Sequence, residues 1–124
     1  MLNLFHETKE DFTMLFDLQQ CTATPAALDV LEQAGISPND LLKRHVSGDF
    51  GKAGHYNDIL PELTKEEISL QALATSDDGK LNAIAIKTGD GQIMSYYCIN
   101  GEDVWVSTYL DEEGYTTILL PSDY

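Results

Sequence analysis

The sequence predicts an α+β domain: three helices packed on a mainly antiparallel sheet of four or five strands. Three observations carry this expectation. Residues 93–99, 104–110 and 115–120 are runs rich in β-branched, aromatic and aliphatic side chains, which suit a half-buried pleated surface. The runs are parted by Asn100-Gly101-Glu102-Asp103 and Asp111-Glu112-Glu113-Gly114, and Asn-Gly accepts the positive φ of a tight hairpin turn, so a C-terminal meander is expected. Upstream, Thr24-Pro25, Ser37-Pro38 and the box Thr64-Lys65-Glu66-Glu67 each mark a helix start.

Taken in order, residues 1–12 read as a loosely held arm of a single domain spanning 1–124. Residues 13–22 read as a strand, with Met14, Phe16 and Leu18 on one face and Asp17 and Gln19 on the other; it is expected to join the C-terminal sheet. Thr24 supplies a side-chain oxygen to orphan amides and Pro25 already has a helical φ. Ala27, Leu28, Leu31 and Ala34 then form an apolar stripe that Gly35 ends. Ser37-Pro38 opens a second helix carrying Leu41, Leu42, His45 and Val46, which stops at Gly48. The glycine-punctuated segment 48–63 reads as irregular, tacked down by Phe50, Tyr56, Ile59 and Leu60. The third helix carries Ile68, Leu70, Leu73 and Ala74 inward and frays at Ser76-Asp77-Asp78-Gly79. Residues 81–88 read as a further strand with Ile84 and Ile86 on one side, turned into the meander by Gly89-Asp90-Gly91.

Composition narrows function. A chain of 124 residues that is 43% hydrophobic supports one core and argues against wholesale disorder. The first residues lack a basic n-region and a long apolar stretch, and no apolar run reaches the ~20 residues of a membrane span, so the cytoplasm is the expected compartment. Cys21 and Cys98 lack a metal-binding spacing and are expected to be two buried free thiols. The formal net charge is −14, and no Lys or Arg follows Lys87, while Asp90, Glu102, Asp103, Asp111, Glu112, Glu113 and Asp123 do. Such a surface repels nucleic acid and anionic membranes and is attracted to basic protein surfaces, although the same charge also serves solubility.

The constellation His45-x3-Asp49-x5-His55 is a candidate metal set, two imidazoles and a carboxylate, with Arg44 beside it to orient an anion. The competing reading makes His45 a core or capping residue near a helix C-terminus and Asp49 ordinary turn chemistry. No nucleophile elbow, phosphate-binding loop or His-Glu-x-x-His motif occurs, so neither an enzyme nor a cofactor is expected. Tyr96, Tyr97, Trp105, Tyr109 and Tyr115 fall on neighbouring strands, with Trp105 and Tyr109 on one face of theirs. Helices over that face would make it core, which is the favoured reading; left open, it is a binding surface.

Leu41-Leu42-Lys43-Arg44-His45-Val46-Ser47-Gly48-Asp49-Phe50-Gly51 resembles the "LL-x-RH-x-x-GDWG" segment of a family of small bacterial proteins borne on plasmids and integrated mobile elements. Trp105-Val106-Ser107-Thr108 and the ending from Tyr115 to Tyr124 resemble its "W-x-x-T…TT-x-LLP-x-x-Y" pattern, and Thr24-Pro25-Ala26-Ala27-Leu28 its first-helix start. The segment between Gly51 and Ile93 is longer than in that pattern. The acidic-then-basic pair that follows the family's Trp strand is not reproduced near Tyr109 and Glu112. The resemblance implies a bacterial, mobile-element-linked, non-enzymatic protein. Together with the charge it leads to the expectation of a small acidic binding protein, a counter-defence factor that occupies the nucleic-acid site of a partner. Its expected contacts are Glu102, Asp103, Asp111, Glu112, Glu113, Trp105 and Tyr109. The alternatives are a metal-binding protein or metal-dependent enzyme using His45, Asp49 and His55, and a homodimer paired through its aromatic sheet face.

Overall fold

A computed structural model describes residues 13–124; the expected arm, 1–12, lies outside the described residues. The class is α+β, with a mixed sheet of four strands, Gln20–Ala23 (β1), Gly91–Ile99 (β2), Glu102–Leu110 (β3) and Tyr115–Leu119 (β4), in the order β1-β4-β3-β2. The meander forms as expected, with β2–β3 and β3–β4 antiparallel. Asn100 and Gly101 both hold positive φ, 50° and 81°, the geometry that a two-residue primed turn requires. β1 instead runs parallel to β4, so the sheet is mixed.

Among the described residues, five α-helices replace the expected three: Pro25–Ala34 (α1), Pro38–Val46 (α2), Tyr56–Ile59 (α3), Lys65–Leu70 (α4) and Asp78–Thr88 (α5). α1 and α2 start as their Thr-Pro and Ser-Pro signals require. Thr24 Oγ1 accepts from Ala27 N–H, Ser37 Oγ from Asn39 N–H, and Gly35 closes α1 in the left-handed region at φ 69°. The Thr64/Glu67 capping box is also present. The helix it starts is shorter than its stripe implies: it passes into a 3-10 turn at Gln71–Leu73, and Leu70 and Leu73 are exposed rather than inward.

Two further expectations are corrected. Residues 81–88 are helix, not strand. Asp77 Oδ1 accepts from Lys80 N–H at one end, and Gly89, φ 73°, closes the other. The alternating Ala-Ile-Ala-Ile hides the helical period because α5 is buried over most of its girth, at Gly79, Asn82, Ala83, Ile84 and Ala85. The 13–22 strand shrinks to β1. Asp17 Oδ1 takes the Gln19 amide at 2.8 Å, and Gln19 turns to φ 60°, which breaks the extended backbone before it reaches the sheet.

The core lies on one face of the sheet. Leu31, Leu41, Leu42 and Val46 of α1 and α2 pack on Tyr97, Val104, Val106 and Ile118, and Cys21 is buried among them. A second cluster, Phe50, Tyr56, Ala83, Ala85 and Ile93, joins the 48–63 segment and α5 to the same face, with Leu15, Ile59 and Ile86 against it. Cys98 has the opposite phase on β2 and is exposed, against the expectation of two buried thiols; both cysteines are free.

β2 is an edge strand, and its outward backbone groups are all satisfied in the middle of the strand. Tyr96 N–H donates to Phe50 O at 3.0 Å and Tyr96 O accepts from Lys52 N–H at 2.8 Å. At Met94, Asn82 of α5 plays the part of a neighbouring strand: its Oδ1 accepts the Met94 N–H at 2.9 Å and its Nδ2 donates to the Met94 carbonyl at 2.7 Å. An open edge of this length invites pairing with another chain, and these contacts close it.

Candidate functional site

The two histidines and the aspartate proposed as a metal set sit in separate roles. His45 is fully buried where α2 crosses the sheet, with Nδ1 at 2.6 Å from Ser95 Oγ and Nε2 at 2.9 Å from Thr108 Oγ1. Thr108 Oγ1 lies 2.7 Å from Thr116 Oγ1, which donates to the Leu18 carbonyl at 2.5 Å. Proton counting orders the chain. Thr116 spends its only proton on Leu18, so Thr108 donates to Thr116 and must accept from His45 Nε2–H. Nδ1 is then the acceptor, and Ser95 donates to it. Four elements and the segment before β1 are thus joined through a neutral imidazole, whose pKa burial lowers to about 3.

Asp49 and His55 face each other in an isolated antiparallel bridge, but their side chains turn to local partners. Asp49 Oδ2 accepts from Arg44 Nε at 2.7 Å and Oδ1 from Gly51 N–H at 3.1 Å, and His55 Nδ1 accepts from Asn57 N–H. Partial burial raises the Asp49 pKa, but these hydrogen bonds and the charges of Arg44 and His55 outweigh it, and the net shift is downward. Arg44, the candidate anion guide, also lies over the Tyr97 ring at 4.4 Å. Among the described residues no three His, Cys, Asp or Glu side chains are grouped to hold a metal ion.

The aromatic residues divide. Tyr97 is buried on the inner face, and its hydroxyl donates to the Asp49 carbonyl at 2.6 Å. Tyr96, Trp105, Tyr109 and Tyr115 occupy the outer face, away from α1 and α2, so the favoured expectation of a helix-covered core is corrected. Their phase on β2, β3 and β4 is opposite to that of Ile93, Val104, Val106 and Ile118. The Tyr96 and Trp105 rings meet edge to face with centroids 5.3 Å apart, Trp105 meets Tyr124 at 5.6 Å and 71°, and Tyr109 meets Tyr115 at 5.3 Å. Tyr124 arrives over this face because the turn Pro121–Asp123 is pinned: Asp123 Oδ2 accepts from Leu120 N–H at 3.0 Å and from the Thr24 hydroxyl at 2.7 Å.

The five acidic candidates are all exposed and lie at opposite ends of β3, not together. Glu102 and Asp103 start the strand, and Asp111, Glu112 and Glu113 follow it, so a rise of ~3.4 Å per residue separates the groups by roughly 27 Å. Asp103 is held by Lys52 at 2.7 Å. Between the two groups run Trp105 and Tyr109.

Sequence reasoning missed Tyr96, Asp78 and Tyr124 as parts of this face. Tyr96 was legible. A two-residue loop at Asn100-Gly101 pairs Ile99 with Glu102, and counting outward pairs Tyr96 with Trp105. Asp78 and Tyr124 were not, since they reach the face through α5 and the C-terminal turn. No protein-family model matches this chain, and neither a curated protein nor a solved structure does so significantly. No helix among the described residues is long and apolar enough to cross a membrane.

Proposed function

We propose that this chain is a non-enzymatic binding protein whose outer sheet face docks on a basic surface of a partner protein. The observation that carries the reading is the half-buried aromatic row of Trp105 and Tyr109, set on the face away from the core and bounded at both ends by exposed carboxylates. Aromatic side chains in a charged rim are the composition of interaction hot spots, and a net charge of −14 selects basic partners. The more specific form, a mobile-element counter-defence factor occupying the nucleic-acid site of a defence protein, is supported by the resemblance of the Leu41–Gly51 and Trp105–Tyr124 segments. The spread of the two acidic groups along β3 suits a partner site that normally tracks several phosphates.

The test compares the wild-type protein, immobilised, with a variant in which Glu102, Asp103, Asp111, Glu112 and Glu113 become Gln or Asn. Bacterial nucleic-acid-handling proteins are loaded at low salt and eluted with a gradient. Proteins bound by charge complementarity elute at lower salt from the variant, and their nucleic-acid binding is inhibited by the wild type alone. Equal retention by both columns would sink the assignment.

A further inference from the structure

Two adjoining hollows, of about 480 and 590 Å³, open on the outer face where α5 borders β2, and both are lined by Asp78, Tyr96 and Trp105. The first continues to Asp90 and Tyr124, the second to Asp77, Lys52 and Asp103. Among the described residues, Lys52 is the only Lys or Arg in either lining, and Asp103 already neutralises it at 2.7 Å.

The aromatic geometry matters more than the charge alone. In a perpendicular ring pair, one ring offers its edge and keeps both of its own faces clear of that partner. The Tyr96–Trp105 and Trp105–Tyr124 pairs, at 83° and 71°, therefore each keep one ring's faces clear of its partner, and all three rings line the groove. Asp78 and Tyr96 line both hollows together, and burial, followed by the neighbouring Asp78 carboxylate, pushes the Tyr96 hydroxyl up to about 12. A cation entering the groove meets aromatic rings and a carboxylate together. Guanidinium fits that pairing better than ammonium, because its planar fork stacks on a ring while its N–H edge takes a carboxylate.

We propose that this groove receives an arginine side chain of the basic partner protein. The inference rests on the docking reading above and names what its aromatic segment recognises. Trp105 is the single tryptophan of the chain and lies in the groove, so its emission reports occupancy directly.

The experiment titrates the full chain with hexa-arginine and with hexa-lysine at moderate salt, following Trp105 fluorescence, for the wild type, Asp78→Asn, Tyr124→Leu and the five-acid variant. Both single substitutions are at exposed positions, and circular dichroism checks that each variant is folded. The expected result is a saturable change in emission with at least about fivefold tighter binding of the arginine peptide. Asp78→Asn should weaken arginine binding by at least about fivefold and lysine binding by distinctly less; Tyr124→Leu should likewise reduce the arginine preference. Equal affinity for the two peptides, or an arginine preference unaltered in Asp78→Asn, overturns the proposal. The two readings fail separately. Loss of arginine preference with salt-dependent partner retention intact removes only the groove. Retention unaffected in the five-acid variant, with arginine preference lost in Asp78→Asn, removes the acidic rim and keeps the groove.

Discussion

His45 Nε2 donates to Thr108 Oγ1 across 2.9 Å, at a point where neither group can reach water. The contact is the middle link of a one-way chain from Ser95 to the Leu18 carbonyl, so each hydroxyl's direction depends on the next. Removing one member strands the others, since a buried donor without a partner forfeits its full desolvation energy.

Thr108→Val keeps the shape of the side chain and removes both its hydrogen bonds. It leaves the His45 N–H and one Thr116 lone pair unmet, and we expect a loss of about 2–4 kcal/mol in urea unfolding. His45→Phe should cost a comparable amount, and the double substitution less than the sum of the two. Strict additivity would show that the two side chains do not act as a unit.

The same burial makes the fold acid-sensitive in a defined direction. Folded His45 stays neutral down to about 3, whereas the unfolded imidazole takes up its proton near about 6.5. Below that value the unfolded chain binds a proton that the fold refuses. The His45 contribution is therefore complete above roughly pH 6.5 and is lost at about 1.4 kcal/mol per unit as pH falls toward 3. Comparing wild type with His45→Gln at about pH 7.5 and about pH 5 isolates this slope. Parallel pH profiles would contradict the buried neutral ring.

Asn82→Ala removes both hydrogen bonds to the Met94 backbone and reopens the β2 edge. The expected cost is about 2 kcal/mol, with loss of hydrogen-exchange protection at the Met94 amide. The variant should also self-associate more readily, seen as a concentration-dependent sedimentation coefficient.

Gly51 holds φ 63°, and a Cβ there would run into the Tyr96 carbonyl. Gly51→Ala therefore combines left-handed strain with a collision against β2, and we expect it to destabilise by about 3 kcal/mol. Gly35→Ala is a useful control: its φ is 69°, but an added Cβ meets nothing within 4 Å, so only the conformational strain remains.

Thr24 serves two ends of the described chain at once, capping α1 through Ala27 N–H and donating to Asp123. Thr24→Ala should lower stability by about 1 kcal/mol through the lost cap. It should also shift Trp105 emission to the red as the turn carrying Tyr124 loosens. Thr24→Ser, which keeps the hydroxyl, should reverse both effects.

Most of the elements were legible because their signals are local. Thr24-Pro25, Ser37-Pro38 and the Thr64/Glu67 box act within one helical turn, and Asn100-Gly101 within one hairpin, so chain neighbours alone determine them. The class, the meander, and the shared face of Trp105 and Tyr109 follow from these. Where burial is on every side, the period disappears. α5 looked like a strand because it is wedged against both the core and the β2 edge, and only its Asp77 and Gly89 caps marked it as helical. The role of His45 was decided by contacts far along the chain, to Ser95 and Thr108, which no local spacing encodes. The tertiary structure likewise decided which sheet face the helices cover. α1 and α2 seat on the Val104–Val106 side, leaving Tyr96 and Trp105 outward, where α5 and the Thr24-pinned C-terminal turn bring Asp78 and Tyr124 beside them. Alternation along a strand assigns residues to two faces; which face becomes core depends on where the connecting helices find room to pack.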